Sequence, residues 1–362
     1  MERARLRDLG ITIGRYPTGR YNAITDVPGV LVGHSTAIYD MPRVARTGVT
    51  AIIPRHGAIW KNHAFAAYYA FNGNGELTGA HWIDEAGMLT SPIGLTNTHQ
   101  VGIVRDMLIA WEREHYAREG MLLPVVAETF DGWLNDIDAF HITKSDLFIA
   151  MNRATSGPVK EGNVGGGTGM ICHDFKGGIG TSSRLVELGE QTYTVGVLVQ
   201  TNYGDRSFLR VNGVPVGAEI GPVEVPTPWG TEPSLQAGSI IAVIGTDAPL
   251  LPIQCKRLAQ RATVGLARVG GVGYNSSGDI FLVFATGNDL PSPPDEMVTL
   301  RMLRHQQLNF FFEAVAEAVE EAIINALTMA ETMTGHKGRT AHAIPLDRLV
   351  QIVEQHDALT VR

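Results

Sequence analysis

Cysteine is almost absent from this 362-residue sequence: Cys172 and Cys255 are the only two. Two thiols build neither a disulfide framework nor a cysteine-rich metal site, so both read as reduced core residues. Charge is sparse as well. Asp, Glu, Lys and Arg make up 18% of the chain, and 37 acids against 29 bases leave a formal charge of −8. No run of Lys and Arg supplies the basic face of a nucleic-acid binder. Long hydrophobic runs are missing too, with nothing near the ~18 uninterrupted apolar residues of a membrane span. The N-terminal stretch MERARLRDLGI has charge but no apolar run behind it, unlike a signal peptide. The chain reads as soluble and cytoplasmic, with neither nucleic-acid nor membrane partners.

Familiar catalytic signatures are also lacking. No G-x-x-x-x-G-K-[ST] phosphate loop occurs, and the glycine cluster at 162–169 does not fit G-x-G-x-x-G. A G-x-S-x-G elbow is absent, which disfavours an ordinary α/β-hydrolase. The twelve histidines show no H-E-x-x-H or H-x-H pair, although His34, His99, His141 and His173 are left as a set that the fold could bring together around a metal.

What the sequence does have is apolar content, at 44%, and glycine, at 41 residues. The first suffices for a sizeable core, and the second points to tight turns and close backbone approaches. Short Val-, Ile- and Thr-rich runs bounded by turn formers predict strands at 30–36, 47–54, 93–104 and 193–204. Helical spacing predicts helices at 102–119 and, less distinctly, at 64–70. The stretch GPVEVPTPWGTEPSLQAG, 221–238, has four prolines and reads as a surface loop or linker. Beyond it the pattern predicts a buried strand from Ser239, a helix over 252–269, a strand over 280–285, a long helix over 294–334 and a closing helix over 346–355. Strands and helices mix throughout, with strands too many and too short for a simple βαβ repeat.

Gly238-Ser239 stands where the Pro-rich loop meets the buried strand. Taken alone the pair marks a strand start. It also has the layout of a self-processing hydrolase, in which the serine hydroxyl attacks the preceding carbonyl and hydrolysis of the ester frees an N-terminal serine. The freed α-amine, with a reference pKa near ~8, can then accept the proton of the adjacent hydroxyl. Glycine before the serine tolerates the distorted backbone that attack requires.

The segment GSIIAVIGTDAPLLPIQCKRLAQRATVGLAR and the following SSGDIFLVFAT resemble the DmpA-type family of L-aminopeptidase/D-esterases and β-peptidyl aminopeptidases. So do NAITDVPGVLVGHST, TGVTAIIP, SPIGLTNTHQVG, AETFDGWLND, EGNVGGGTGM and VGVLVQTNYG, in the family's order from about residue 7 to 330. The resemblance implies an α/β fold, an αββα sandwich like that of N-terminal nucleophile hydrolases but with the connectivity of the DmpA/ornithine acetyltransferase group. It implies one self-processing domain, cut into an α chain, 1–238, and a β chain, 239–362, that stay together as a homo-oligomer, commonly a tetramer of such pairs. It also implies a small peptide, amide or ester as substrate and no cofactor or metal.

Carried over by position, Ser239 matches the nucleophile and Gly238–Ser239 the cleaved bond. Ser277 and Asp279 match the family's S-G-[DE] pair, which assists proton transfer and orients the nucleophile. Asn202 matches a donor to the developing oxyanion, and Glu128 the acid that holds the substrate ammonium. Read without the family, Ser277 is a turn residue before a strand, Asp279 a solvated or capping acid, Asn202 an Asx-type turn and Glu128 a strand-end carboxylate. Phe130 departs from the pattern, because a tyrosine is expected there and phenylalanine has no hydroxyl to donate. The leading expectation is a self-activating serine aminopeptidase. The alternatives are a catalytically silent binding or scaffold protein of the same fold and an acyl transferase like the ornithine acetyltransferases, which cleave before threonine rather than serine.

Overall fold

In the computed structural model, residues 1–117, 119–228, 238–292 and 297–360 are described. Among them β1 (Leu31–Tyr39), β2 (Ala45–Ile53), β3 (Ala64–Ala70), α1 (Ala80–Ala86), β4 (Met88–Leu89), β5 (Ile93–Asn97), α2 (Val101–Tyr116), β6 (Val125–Thr129) and α3 (Lys144–Asn152) follow one another. Then come β7 (Ile171–Cys172), β8 (Phe175–Lys176), β9 (Gly178–Leu188), β10 (Gln191–Asn202), α4 (Val216–Glu219), β11 (Ser239–Thr246), α5 (Pro252–Val269) and β12 (Asp279–Ala285). The chain ends through α6 (Leu308–Met329), β13 (Met333–Thr334), β14 (Thr340–Ala341) and α7 (Leu346–Thr360).

Two sheets lie face to face. One has the order β1-β2-β5-β6, and the other β4-β3-β12-β11-β10-β9. Apolar residues from both, among them Val32, Leu95, Leu198, Ile241, Val243 and Leu282, fill the space between them. Helices α2 and α3 cover the outer face of the first sheet through Val104, Leu108 and Leu147. Helices α5 and α6 cover the outer face of the second through Leu258, Leu266, Phe311 and Val319. The architecture is therefore the αββα sandwich.

Several expected elements take their predicted places. Helix α5 spans 252–269, with Pro252 in its first turn and Gly270 in the left-handed conformation closing it. The buried strand from Ser239 is β11, and β12 and α7 fall where the pattern puts them. The expected helix at 64–70 is instead strand β3. Its alanines mislead, because the decisive feature is alternation: Ala64 and Ala66 face the inter-sheet core while Phe65 and Ala67 face α5. The strand at 93–104 ends at Asn97, after which the chain turns into α2. The long helix is shorter than expected, running from Leu308 to Met329. Ahead of it Arg301 donates its N–H to Asn288 Oδ1 at 2.8 Å and Leu303 to Pro249 O at 3.2 Å, contacts that hold this segment outside the helix. Behind it Met333–Thr334 pairs with Thr340–Ala341. Residues 294–296 of that expectation, and 229–237 of the Pro-rich loop, lie outside the described residues.

Helix α6 is buried almost all round, Glu317, Glu320 and Glu321 included. Arg184, fully buried on β9, donates Nη2 to Glu321 Oε2 at 2.7 Å and Nε to Glu317 Oε2 at 3.0 Å. Arg7 reaches Glu321 at 2.9 Å, so one ion network ties the N-terminal segment, the sheet edge and α6 together. Removing one partner strands a buried charge, which typically costs about 3–5 kcal/mol. Arg184→Met should lower the stability measured by urea unfolding by that order, and a loss below about 1 kcal/mol would show the network to be dispensable.

Candidate active site

Strands β11 and β12 are parallel neighbours, with Ile240 opposite Asp279. Their first residues therefore lie side by side at one edge of the sandwich. Ser239 opens β11, and the loop Ser277-Gly278 leads into β12. Ser239 is 7% exposed, and its Oγ accepts the Gly278 N–H at 3.1 Å. On its other side β10 runs antiparallel, with Asn202 directly opposite Ser239. Gly238 is packed so closely against that strand that a Cβ would fall 1.5 Å from the Asn202 carbonyl oxygen. Only glycine fits.

The Ser277 hydroxyl faces two acceptors, the Gly238 carbonyl oxygen and, at 2.6 Å, Asp279 Oδ1. One hydroxyl has one hydrogen, so the protonation of Asp279 decides where it goes. An ionised Asp279 takes it. A protonated Asp279 donates to Ser277 Oγ and leaves the Ser277 hydrogen for the Gly238 carbonyl. Burial pushes Asp279 up to about 6, against the pull of its hydrogen bond from Ser277. Both arrangements are therefore accessible near neutral pH. The second carboxylate oxygen, Oδ2, is buried without a hydrogen-bond partner.

The structure brings the other expected residues to the same place. Asn202 donates Nδ2 to the Phe130 carbonyl at 2.9 Å and accepts the Ile171 N–H on Oδ1 at 2.8 Å. Both ends of its amide are thus clamped by backbone, and one amide hydrogen is committed. Glu128, near the end of β6, is 2% exposed. One of its carboxylate oxygens accepts the Glu76 N–H at 3.0 Å and the other the Thr98 hydroxyl. Burial raises its pKa, opposed by those two bonds. Gly75 lies between Glu128 and Gly278, so Glu128 and Ser239 share one wall. Phe130 presents a half-exposed ring and no phenol hydroxyl, and its contribution to the site is its carbonyl.

Ser239, Gly238, Asn202, Glu128 and Phe130 line a single cavity of about 820 Å³. Thr98, Glu76, Trp133, Asp174 and Arg339 also line it, and sequence reasoning missed all five. Thr98 and Glu76 act through the Glu128 carboxylate, and Thr98 sits in the block SPIGLTNTHQVG, where it could have been suspected. Arg339 has no such signal, since it stands in a short turn after α6.

The four histidines left as a set go to separate partners. His34 Nδ1 meets Thr50 Oγ1 at 2.9 Å, His99 Nδ1 meets Asp138 at 3.2 Å, His141 Nδ1 meets the Tyr39 hydroxyl at 2.9 Å and His173 Nδ1 meets the Asp205 carbonyl at 2.9 Å. Among the described residues no group of three or more His, Cys, Asp or Glu is arranged to hold a metal. Both cysteines are buried and unpaired. No helix among the described residues is long and apolar enough to cross a membrane.

Comparisons with known proteins agree with one another. The profile of peptidase family S58 matches residues 22–341. The β-peptidyl aminopeptidase BapA of Sphingosinicella microcystinivorans is 44% identical, over 99% of this chain and 94% of the relative. A β-aminopeptidase structure from a Burkholderia species superposes with a TM-score of 0.91 at 50% identity, covering 97% of this chain and 99% of that one. The L-aminopeptidase D-Ala-esterase/amidase of Ochrobactrum anthropi, described as a prototype serine aminopeptidase with a variant Ntn hydrolase fold, gives 0.91 at 43% identity, covering 98% and 99%.

The raised Asp279 pKa makes a stability prediction. Between its usual value near 3.8 and about 6, folded Asp279 keeps a proton that the unfolded chain has released. Its contribution is full below the lower value and is lost as pH rises through the upper one. Asparagine does not titrate. Asp279→Asn should therefore gain about 2–3 kcal/mol relative to wild type between about pH 4 and pH 8. Urea unfolding at both values checks this, and parallel stabilities would place the Asp279 pKa near its ordinary value.

Proposed function

Because the chain belongs to peptidase family S58, we propose that it is a self-activating serine aminopeptidase, cut between Gly238 and Ser239 and then active on the N-terminal residues of short peptides, amides or esters. The observation that carries this reading is the Ser277 hydroxyl, held between the Gly238 carbonyl and Asp279 while Ser239 starts the adjacent strand. In self-processing, Ser239 Oγ adds to the Gly238 carbonyl carbon. Ser277 donates to the oxygen that gains charge, the Ser239 Oγ proton passes to the Ser239 nitrogen as the C–N bond breaks, and an ester remains. Water then hydrolyses the ester, leaving a Gly238 carboxylate and a free Ser239 amine. In turnover that amine accepts the proton of Ser239 Oγ and later returns it to the leaving amine. The substrate carbonyl oxygen takes the place vacated by that of Gly238, beside Ser277 and Asn202.

Glu128 supplies the exopeptidase character, as a buried carboxylate facing the cavity and suited to one ammonium. A substrate ammonium beside Glu128 lowers that raised pKa, which strengthens the contact when it is needed. The relatives named for β-peptidyl and L-amino acid cleavage make N-terminal β-amino or L-residues the substrates to try first.

Denaturing mass spectrometry of wild type should show two chains, one ending at Gly238 and one beginning at Ser239, and Ser239→Ala a single chain. Intact, active wild type with no new N-terminal serine would refute self-activation. Glu128→Gln should cut normally yet lose about 2–5 kcal/mol in kcat/KM on aminoacyl p-nitroanilides. Wild type should hydrolyse N-acetylated analogues poorly. Equal rates on blocked and free amines would return Glu128 to a structural role.

A further inference from the structure

The cavity that contains Ser239 has a second charged end, and the reaction outlined above does not use it. Arg339 lies on a wall built from different elements than Glu128. Glu128 belongs with the 73–76 loop and Gly278. Arg339 closes the turn between β13 and β14, where Gly335 N–H bonds the Arg339 carbonyl at 2.9 Å and Gly335 packs against Leu134. Its guanidinium carbon lies over the Trp133 ring, 3.9 Å from the centroid, and one nitrogen is 3.5 Å from the Trp133 carbonyl. Both contacts are neutral, and Arg339 forms no ion pair among the described residues. Asp174, the acid on this side, is 5% exposed, and its carboxylate accepts the Arg206 N–H at 3.2 Å.

A stacked guanidinium keeps most of its five N–H donors along the edge of the plane. It is oriented before a ligand arrives, so little side-chain freedom remains to be lost on binding. The planar group that matches such an edge is a carboxylate, taken through two parallel hydrogen bonds. With the ammonium site at Glu128 and the nucleophile in the same cavity of about 820 Å³, the space suits a ligand of a few residues, each spanning at most ~3.3–3.6 Å. Resting on the aminopeptidase reading above, we propose that Arg339 binds the free C-terminal carboxylate of the substrate, so that the cavity selects zwitterionic di- and tripeptides over substrates lacking that charge.

Three substrates with the same N-terminal residue test this: a dipeptide with a free carboxylate, its C-terminal amide, and the p-nitroanilide. Wild type should favour the free acid over the amide by about 10- to 100-fold in kcat/KM, mainly through KM, as expected for a hydrogen-bonded charge. Arg339→Gln should abolish that preference and leave anilide hydrolysis unchanged, and Arg339→Lys should restore part of it. Wild type that treats acid and amide alike overturns the inference, and this arm needs no variant to fold. So does an Arg339→Gln that slows all three substrates in parallel, since that marks a prop for Trp133 and not a carboxylate site. Anilide turnover without acid preference defeats this inference alone. No turnover of any substrate by wild type defeats the aminopeptidase reading, and this one with it.

Discussion

The parallel pairing of β11 with β12 is the constraint on which the site depends. Parallel strands cannot be joined by a tight turn, so the chain must leave the sheet and return, and α5 is that crossover. The return brings the start of β12 beside the start of β11, with Ile240 opposite Asp279. The groups of the candidate site then come from what stands at two strand starts, Ser239 of β11 and Asp279 of β12. Ser239 and Gly238 come from one, and Ser277, Gly278 and Asp279 from the other. Close approach restricts composition at both. A Cβ at Gly238 would overlap the Asn202 carbonyl, and one at Gly278 would fall 2.4 Å from the Asn74 carbonyl. The two glycines let three strands and a loop meet around one hydroxyl, and no side chain larger than hydrogen fits at either.

Burial treats the acids of this protein in two opposite ways. Glu321 and Glu128 are both nearly inaccessible, and burial alone would raise both. Glu321 is nevertheless held below its usual range, because Arg184 and Arg7 overcome the desolvation. Among the described residues Glu128 has a hydroxyl and an amide for hydrogen-bond partners and stays raised, as does Asp279 beside the Ser277 hydroxyl and the Ile240 backbone. The difference is one of purpose. Fixed cations satisfy the acids that join N-terminus, sheet and α6, leaving nothing for a ligand to gain. Glu128, whose partners are neutral, retains an unmet demand for a proton or a cation, and it lines the cavity.

The sequence carried much of the fold and less of the site. Strand β11, α5 and β12 were legible because β-branched apolar runs and a Pro-started, Gly-ended amphipathic stretch are strong local signals. Strand β3 was not, because AFAAYYA satisfies a helical reading until its two faces are known to meet different layers. The extent of α6 was also misjudged, since the hydrogen bonds holding 301–303 out of the helix come from Asn288 and Pro249. Ser239, Ser277, Asp279, Asn202 and Glu128 were named through family resemblance, and local chemistry alone gave each an ordinary structural reading. Spacing could not have joined them, because their proximity is a matter of register between strands. Arg339 shows the limit most clearly. Its environment is made by Trp133, 206 positions earlier in the chain, and nothing around it in sequence suggests a cavity.

The proposed chain break at Gly238–Ser239 would also have to be compatible with the fold that surrounds it. The bond stands at the start of β11, in the middle of the six-stranded sheet. Ser239 remains fixed as the first residue of β11, which pairs with β10 before the break and β12 after it. Strand β3, from the first segment, lies on the far side of β12, so the two segments alternate across the sheet. The N-terminal residues extend the interlock to the helical layer. Arg3 bonds the Leu327 and Ile344 carbonyls, Leu6 N–H bonds Asn325 Oδ1, and Arg7 pairs with Glu321. Separating the segments would mean stripping the central strands of the sheet and exposing the core beneath α5 and α6. Hydrolysis of one peptide bond removes none of these contacts. Under the proposed reading it would free an amine beside a hydroxyl that the flanking strands already hold in place, so the chemistry at Ser239 would change without demanding a new fold around it.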